Sequence, residues 1–129
     1  MLDVGCGSGV LAIAACVFGA GRAVAIDIAP AAVPVTIANA TANGVADRVQ
    51  ASTTDLADID GVYDLVVANI LAPTLVALAA DLRRVLAPGG PLVISGILAE
   101  ANAHVLAALS PLHVVATAEL DGWAAFTLR

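Results

Sequence analysis

The chain has 129 residues, with 11 Asp and Glu against 5 Lys and Arg, for a formal net charge of −6. A length of this order predicts one domain with room for a sizeable core. The acid excess, with every basic residue an arginine, argues against nucleic acid as a direct partner. Hydrophobic residues make up 60 % and aromatics 3 %, which fits alanine-rich helices on a Val, Ile and Leu sheet buried on both faces. The mean hydropathy of +0.97 invites a membrane reading. Against it, the uncharged residues 65–80 are interrupted by Asn69, Pro73 and Thr74 and are too few to span a bilayer. The opening residues read as strand and turn and lack the basic start of a secretory signal. Cys6 and Cys16 have no metal-like spacing, so reduced thiols in a cytoplasmic setting are expected.

Strand and helix signals alternate along the chain, which predicts a largely parallel α/β sheet. Residues 1–4 read as a short buried strand leading into Gly5-Cys6-Gly7-Ser8-Gly9. A helix over residues 8–18 follows, with Val10, Ile13, Ala14 and Val17 at helical spacing, and stops at Gly19-Ala20-Gly21. Residues 23–27 form a second strand. Pro30 opens the next helix, which runs to Ala42 before Asn43-Gly44. A third strand surrounds Val49. Residues 65–69 form the fourth. Pro73 opens an amphipathic helix carrying Leu75, Leu78, Leu82, Val85 and Leu86, ended by Pro88-Gly89-Gly90. Residues 92–97 form strand five, a helix covers 100–109, and strands cover 112–118 and 123–128. The last two strands have no helix between them, only residues 119–122, and so pair antiparallel. Arg83 and Arg84 fall on an exposed helix face, and Trp123 packs against the sheet.

Ligands of open α/β sheets bind beyond the carboxyl ends of the strands. Residues 3–9, Asp27, Asp55 and Asn69 are the polar features at those ends. The glycines let the backbone turn tightly and approach a ligand. A dinucleotide fingerprint places its third glycine at residue 10, where this chain has Val10; here it comes early, at Gly9. Asp3 would repel a pyrophosphate and suits a cationic ligand. The D-x-G-x-G-x-G pattern resembles the first motif of class I methyltransferases that use S-adenosylmethionine.

Asp27 lies 22 residues after Gly5, about where an acid that holds a ribose is expected. Each charge-assisted bond to a ribose hydroxyl contributes about 1.5–3 kcal/mol. The alternative is a solvated acid at a strand end. Asp55 either accepts from an adenine amino group or is a turn and cap residue. Ile28 and Leu56 would then be apolar walls for the adenine. Asn69 carries an acceptor and two donors at the end of a central strand. It can align a neutral amine with an S–CH₃ bond, and such alignment carries much of methyl transfer; the alternative is a helix-start residue ahead of Pro73. His104 and His113 have no partner at a telling offset. No metal site is expected.

Four segments together resemble the bacterial ribosomal protein L-eleven methyltransferase (PrmA) family. They are residues 2–14, Ala25-Ile26-Asp27-Ile28, Val67-Ala68-Asn69-Ile70-Leu71-Ala72 and Ser95-Gly96-Ile97-Leu98-Ala99. Asn-Ile-Leu-Ala is the specific part, since most amine and amide methyltransferases with this asparagine show Asn-Pro-Pro-Tyr there. The resemblance implies a Rossmann-like class I methyltransferase fold: a mostly parallel seven-stranded sheet, an antiparallel C-terminal hairpin, and helices on both faces. It implies transfer of methyl groups from S-adenosylmethionine to amino groups of a ribosomal large-subunit protein. It implies cofactor contacts at Gly5, Asp27 and Asn69, with Asp3 near the methionine amino group and Asn69 also at the acceptor amine; the turn and strand-end reading adds Cys6, Gly7, Ser8, Gly9, Ile28, Asp55 and Leu56 to the expected cofactor positions. Residues 1–129 then correspond to the catalytic domain, without the N-terminal substrate-recognition domain of family members. Two other readings stay open: methylation of another amine or amide acceptor, and a cofactor-binding or interaction module without turnover.

Overall fold

Small residues decide how the first half packs. The computed structural model describes residues 1–129, in two compact units, Met1–Ile59 and Asp60–Arg129. In the first unit, β1 (Leu2–Val4), β2 (Ala23–Ile26) and β3 (Val49–Ser52) are parallel, in the order β3-β2-β1. The helices are α1 (Val10–Val17) and α2 (Ala32–Ala42). Ala12, Cys16, Ala23, Ala25 and Ala40 are all buried in one cluster, so helix and strand backbones approach closely. The buried face of α1 is Ala12, Ile13 and Cys16, while Val10 and Val17 are more than half exposed. Of the residues at helical spacing, Val10, Ile13, Ala14 and Val17, only Ile13 is buried. Gly9 caps α1 in the left-handed conformation, so the helix starts at Val10 and not at residue 8. Pro30 likewise precedes its helix and does not lie in the first turn.

In the second unit, β4 (Val66–Asn69) and β5 (Leu92–Leu98) are parallel, followed by the antiparallel β7 (Trp123–Leu128) and β6 (Val114–Leu120), in the order β4-β5-β7-β6. The helices are α3 (Ala72–Arg84), with Pro73 in its first turn, and α4 (Ala103–Ala108). Leu75, Leu82, Leu92, Ile94 and Leu128 are fully buried and form the centre of this unit. β6 runs on to Leu120, so the link to β7 is a two-residue Asp121-Gly122 turn. Both turn residues have positive φ, 51° and 80°, the geometry that matches the twist of a hairpin. Trp123, expected against the sheet, is half exposed at the start of β7. Arg83 is partly buried and donates to the Ala108 carbonyl, while Arg84 pairs with Asp81 at 3.0 Å. No helix is long and apolar enough to cross a membrane.

Candidate functional site

The strands of the first unit end together: Val4 is in register with Ile26, and Ile26 with Ser52. Residues 5–9, Asp27 and Asp55 therefore leave the same end of three adjoining strands. The turn after β1 is held at nearly every peptide. Gly5 and Cys6 N–H both donate to Ile26 O, at 2.9 and 3.0 Å, and Gly9 N–H donates to Cys6 O at 2.7 Å. Gly5, Gly7 and Gly9 have φ of 75°, 53° and 79°, where a side chain is disfavoured. Gly7 has nothing within 4 Å of a would-be Cβ, so its surroundings leave the approach to the backbone open.

Asp3 lies beneath this turn, only 1 % exposed. Its Oδ2 accepts from Ala12 N–H at 3.1 Å, satisfying a first-turn donor of α1, a helix whose N-cap is a glycine without a side-chain bond. Its Oδ1 is buried and has no partner. Burial lifts the carboxyl from its ordinary 3.8 to about 6, with the Ala12 N–H opposing and the nearby Asp27 charge adding to the rise. A buried carboxylate oxygen without a donor is costly, and a cationic ligand is the partner that best offsets the cost. The expectation of a cation beside Asp3 fits this geometry.

Asp27 is partly exposed at the end of β2 and is tied to the backbone. Its Oδ2 accepts from Gly7 N–H at 2.8 Å and its Oδ1 from Ala29 N–H at 2.9 Å. A carboxylate has about four lone-pair sites, so capacity remains for hydroxyl donors. Ile28 beside it is 89 % exposed, an open apolar face. Asp55 caps a single 3-10 turn, accepting from Ala57 N–H at 3.2 Å, so the cap reading describes its present contact. Leu56 is buried, and its side chain takes part in packing. Cys6 points into the core cluster with its thiol pushed up by burial, so it supports the turn from below. Ser8 is exposed, and its carbonyl accepts from Asn39.

In the second unit, Asn69 ends β4 in register with Ser95 and is exposed. The cap of α3 is Leu71, with no side-chain bond, so the helix-start alternative for Asn69 does not hold. Gly96, with φ 81°, sits against it: a Cβ there would come within 2.8 Å of Ile70 O and 3.0 Å of Asn69 Oδ1. The β5–β7 register shifts between Ile94 and Ile97, at this same place. His104 and His113 are exposed. Sequence reasoning assigned no role to Gly96, Thr36 or Asn39; only a left-handed φ or a cross-element bond singles them out.

A glycine turn over a buried acid, with a second acid after β2, fits the class I methyltransferase pattern, and solved methyltransferases share the fold. A ribosomal protein L11 methylase from Lactobacillus delbrueckii subsp. bulgaricus superposes with a TM-score of 0.94 at 34 % identity, over 99 % of this chain and 68 % of that one. An RNA methyltransferase from Salinibacter ruber, solved with S-adenosyl-L-homocysteine, superposes at 0.79 with 27 % identity, over 98 % of this chain and 76 % of that one. The sequence profile described as ribosomal protein L11 methyltransferase (PrmA) matches residues 1–129, and the chain belongs to that family. The ribosomal protein L11 methyltransferase of Geobacter sp. (strain M21) is 51 % identical over 129 residues. The match covers all of this chain and 42 % of that relative's length.

Proposed function

We propose that the chain is the catalytic part of an S-adenosylmethionine-dependent protein N-methyltransferase whose acceptor amines lie on ribosomal protein L11. The observation that carries this reading is the buried Asp3 Oδ1 without a partner, beneath a turn of three positive-φ glycines. Bound S-adenosylmethionine supplies a sulfonium methyl group open to attack by an amine. Asp3 is suited to accept from the cofactor's ammonium group, and Asp27 from its ribose hydroxyls. Gly5, Gly7, Ser8 and Gly9 let the backbone come close. Ile28 offers an apolar face to adenine, with Asp55 able to accept from its amino group. The Asn69 carboxamide can accept from a neutral amine and fix its direction of approach, the alignment on which methyl transfer chiefly depends. Both cysteines are free, consistent with a cytoplasmic setting.

A second reading is cofactor binding without turnover by this chain alone. It is favoured by the 42 % share of its curated relative that the chain spans. Purified chain, methyl-labelled S-adenosylmethionine and purified ribosomal protein L11 separate the two. Label should appear on L11, and Asn69→Ala should cut the rate by about 10²-fold while cofactor affinity, measured by calorimetry, changes little. Binding without label selects the second reading; no binding overturns both.

A further inference from the structure

Helix α2 holds the glycine turn from the side, through contacts that the reading above does not use. Thr36 is fully buried, one of only two buried polar residues in the chain, the other being Asp3. A buried threonine within a helix commonly returns its hydroxyl to the carbonyl four residues back. Here Thr36 Oγ1 instead donates across to Gly7 O at 3.2 Å and lies 3.6 Å from Cys6 Sγ. Three residues further along the same helix face, Asn39 Nδ2 donates to Ser8 O at 2.9 Å. Two consecutive carbonyls of the turn are thus tied to one helix. The fit is steric as well: a Cβ on Gly9 would come within 2.6 Å of Thr36 Cγ2.

The consequence follows from peptide planarity. In a trans peptide the C=O of one residue and the N–H of the next point in opposite directions. A Gly7 carbonyl held by Thr36 therefore aims the Ser8 N–H away from α2. Gly7 itself is fixed at both ends, by Asp27 at its N–H and by Thr36 at its carbonyl. Without those ties, a glycine has wide conformational freedom and its peptides can reorient.

We propose that Thr36 and Asn39 are positioning residues for the cofactor turn, orienting the Gly7–Ser8 and Ser8–Gly9 peptides so that the turn is preformed to receive S-adenosylmethionine. This rests on the proposed function. The test compares Thr36→Val, Thr36→Ser and Asn39→Ala in the intact chain by two readouts. One is hydrogen exchange at the Gly7 and Gly9 amides without ligand; the other is S-adenosylmethionine affinity by calorimetry. Circular dichroism and Tm serve as controls for folding.

Thr36→Val should speed exchange at both amides and weaken binding by about three- to tenfold, the loss of one net hydrogen bond. Thr36→Ser should restore both. Unchanged exchange in Thr36→Val overturns the proposal, as does a serine variant impaired as far as the valine one, which would assign the effect to methyl packing. If Thr36→Val does not fold, Asn39→Ala gives the same two readouts at a less buried site, and unchanged exchange there overturns the proposal equally. Failure of the unsubstituted chain to bind S-adenosylmethionine would overturn the functional reading, while the exchange comparison still decides the clamp.

Discussion

Asp3→Asn tests the central feature of the site by a measurement that needs no cofactor. A carboxyl lifted from 3.8 to about 6 is disfavoured in its ionised form by about 3 kcal/mol in the folded chain. The folded state therefore binds the proton more tightly than the unfolded one. Its contribution is fully present below pH 3.8, falls as pH rises, and is lost above about 6. Asparagine keeps an acceptor for the Ala12 N–H and cannot ionise, so the variant escapes this loss. Urea unfolding of both proteins should show the variant gaining on the parent by about 2 kcal/mol between pH 4.5 and 7.5. The Asp3 carboxyl carbon, followed by NMR, should titrate near 6 in the parent chain. A stability difference that does not change with pH, together with a titration near 4, would refute the claim that burial dominates at this carboxyl. The same ionisation bears on the ligand. Pairing with a cofactor ammonium group requires the charged carboxylate, so S-adenosylmethionine affinity should rise as pH passes through about 6, and Asp3→Asn should remove that rise.

Two further substitutions probe the rest of the site. Asp27→Ala removes the acceptor of the Gly7 and Ala29 N–H groups along with the proposed ribose contacts; calorimetry should show affinity for S-adenosylmethionine falling by about 10²-fold or more, and unchanged affinity would sink the ribose assignment. Gly96→Ala places a side chain at φ 81° and drives its Cβ to within 2.8 Å of Ile70 O. The strain alone is about 1–2 kcal/mol; Tm should drop by about 4 °C or more, and L11 methylation should fall with it as Asn69 is displaced. Equal Tm and equal methylation would show that the bulge tolerates a side chain.

Much of the architecture was legible in the chain because alternating apolar runs and glycine or proline breaks are local signals. All seven strands and four helices occur in the order those signals give, with several ends shifted, and the Asp3-to-Gly9 turn was visible from spacing alone. The differences have local causes too. Helical spacing alone does not mark the inward face of α1, because apolar residues cover both its faces and a mean hydropathy of +0.97 leaves little polar contrast to mark the outside. The final hairpin has a two-residue link where residues 119–122 are expected, although Asp121-Gly122 is itself a strong turn signal; Glu119, a charged residue inside β6, masks the strand's continuation past residue 118.

Residue order, by itself, determines that the glycines fall at 5, 7 and 9, that an acid precedes them, and that Asp27 follows at a ribose-like offset. Those are matters of spacing along one chain, and a turn and two strands translate spacing directly into position. Only tertiary structure decides what each group is left to do. It buries Asp3 and leaves Oδ1 without a donor, spends part of Asp27 on the backbone of the turn, and sets Thr36, 27 residues beyond Gly9, against it. Hydrogen bonds and burial depend on which atoms meet across elements, and that information appears only when the strands and helices are packed.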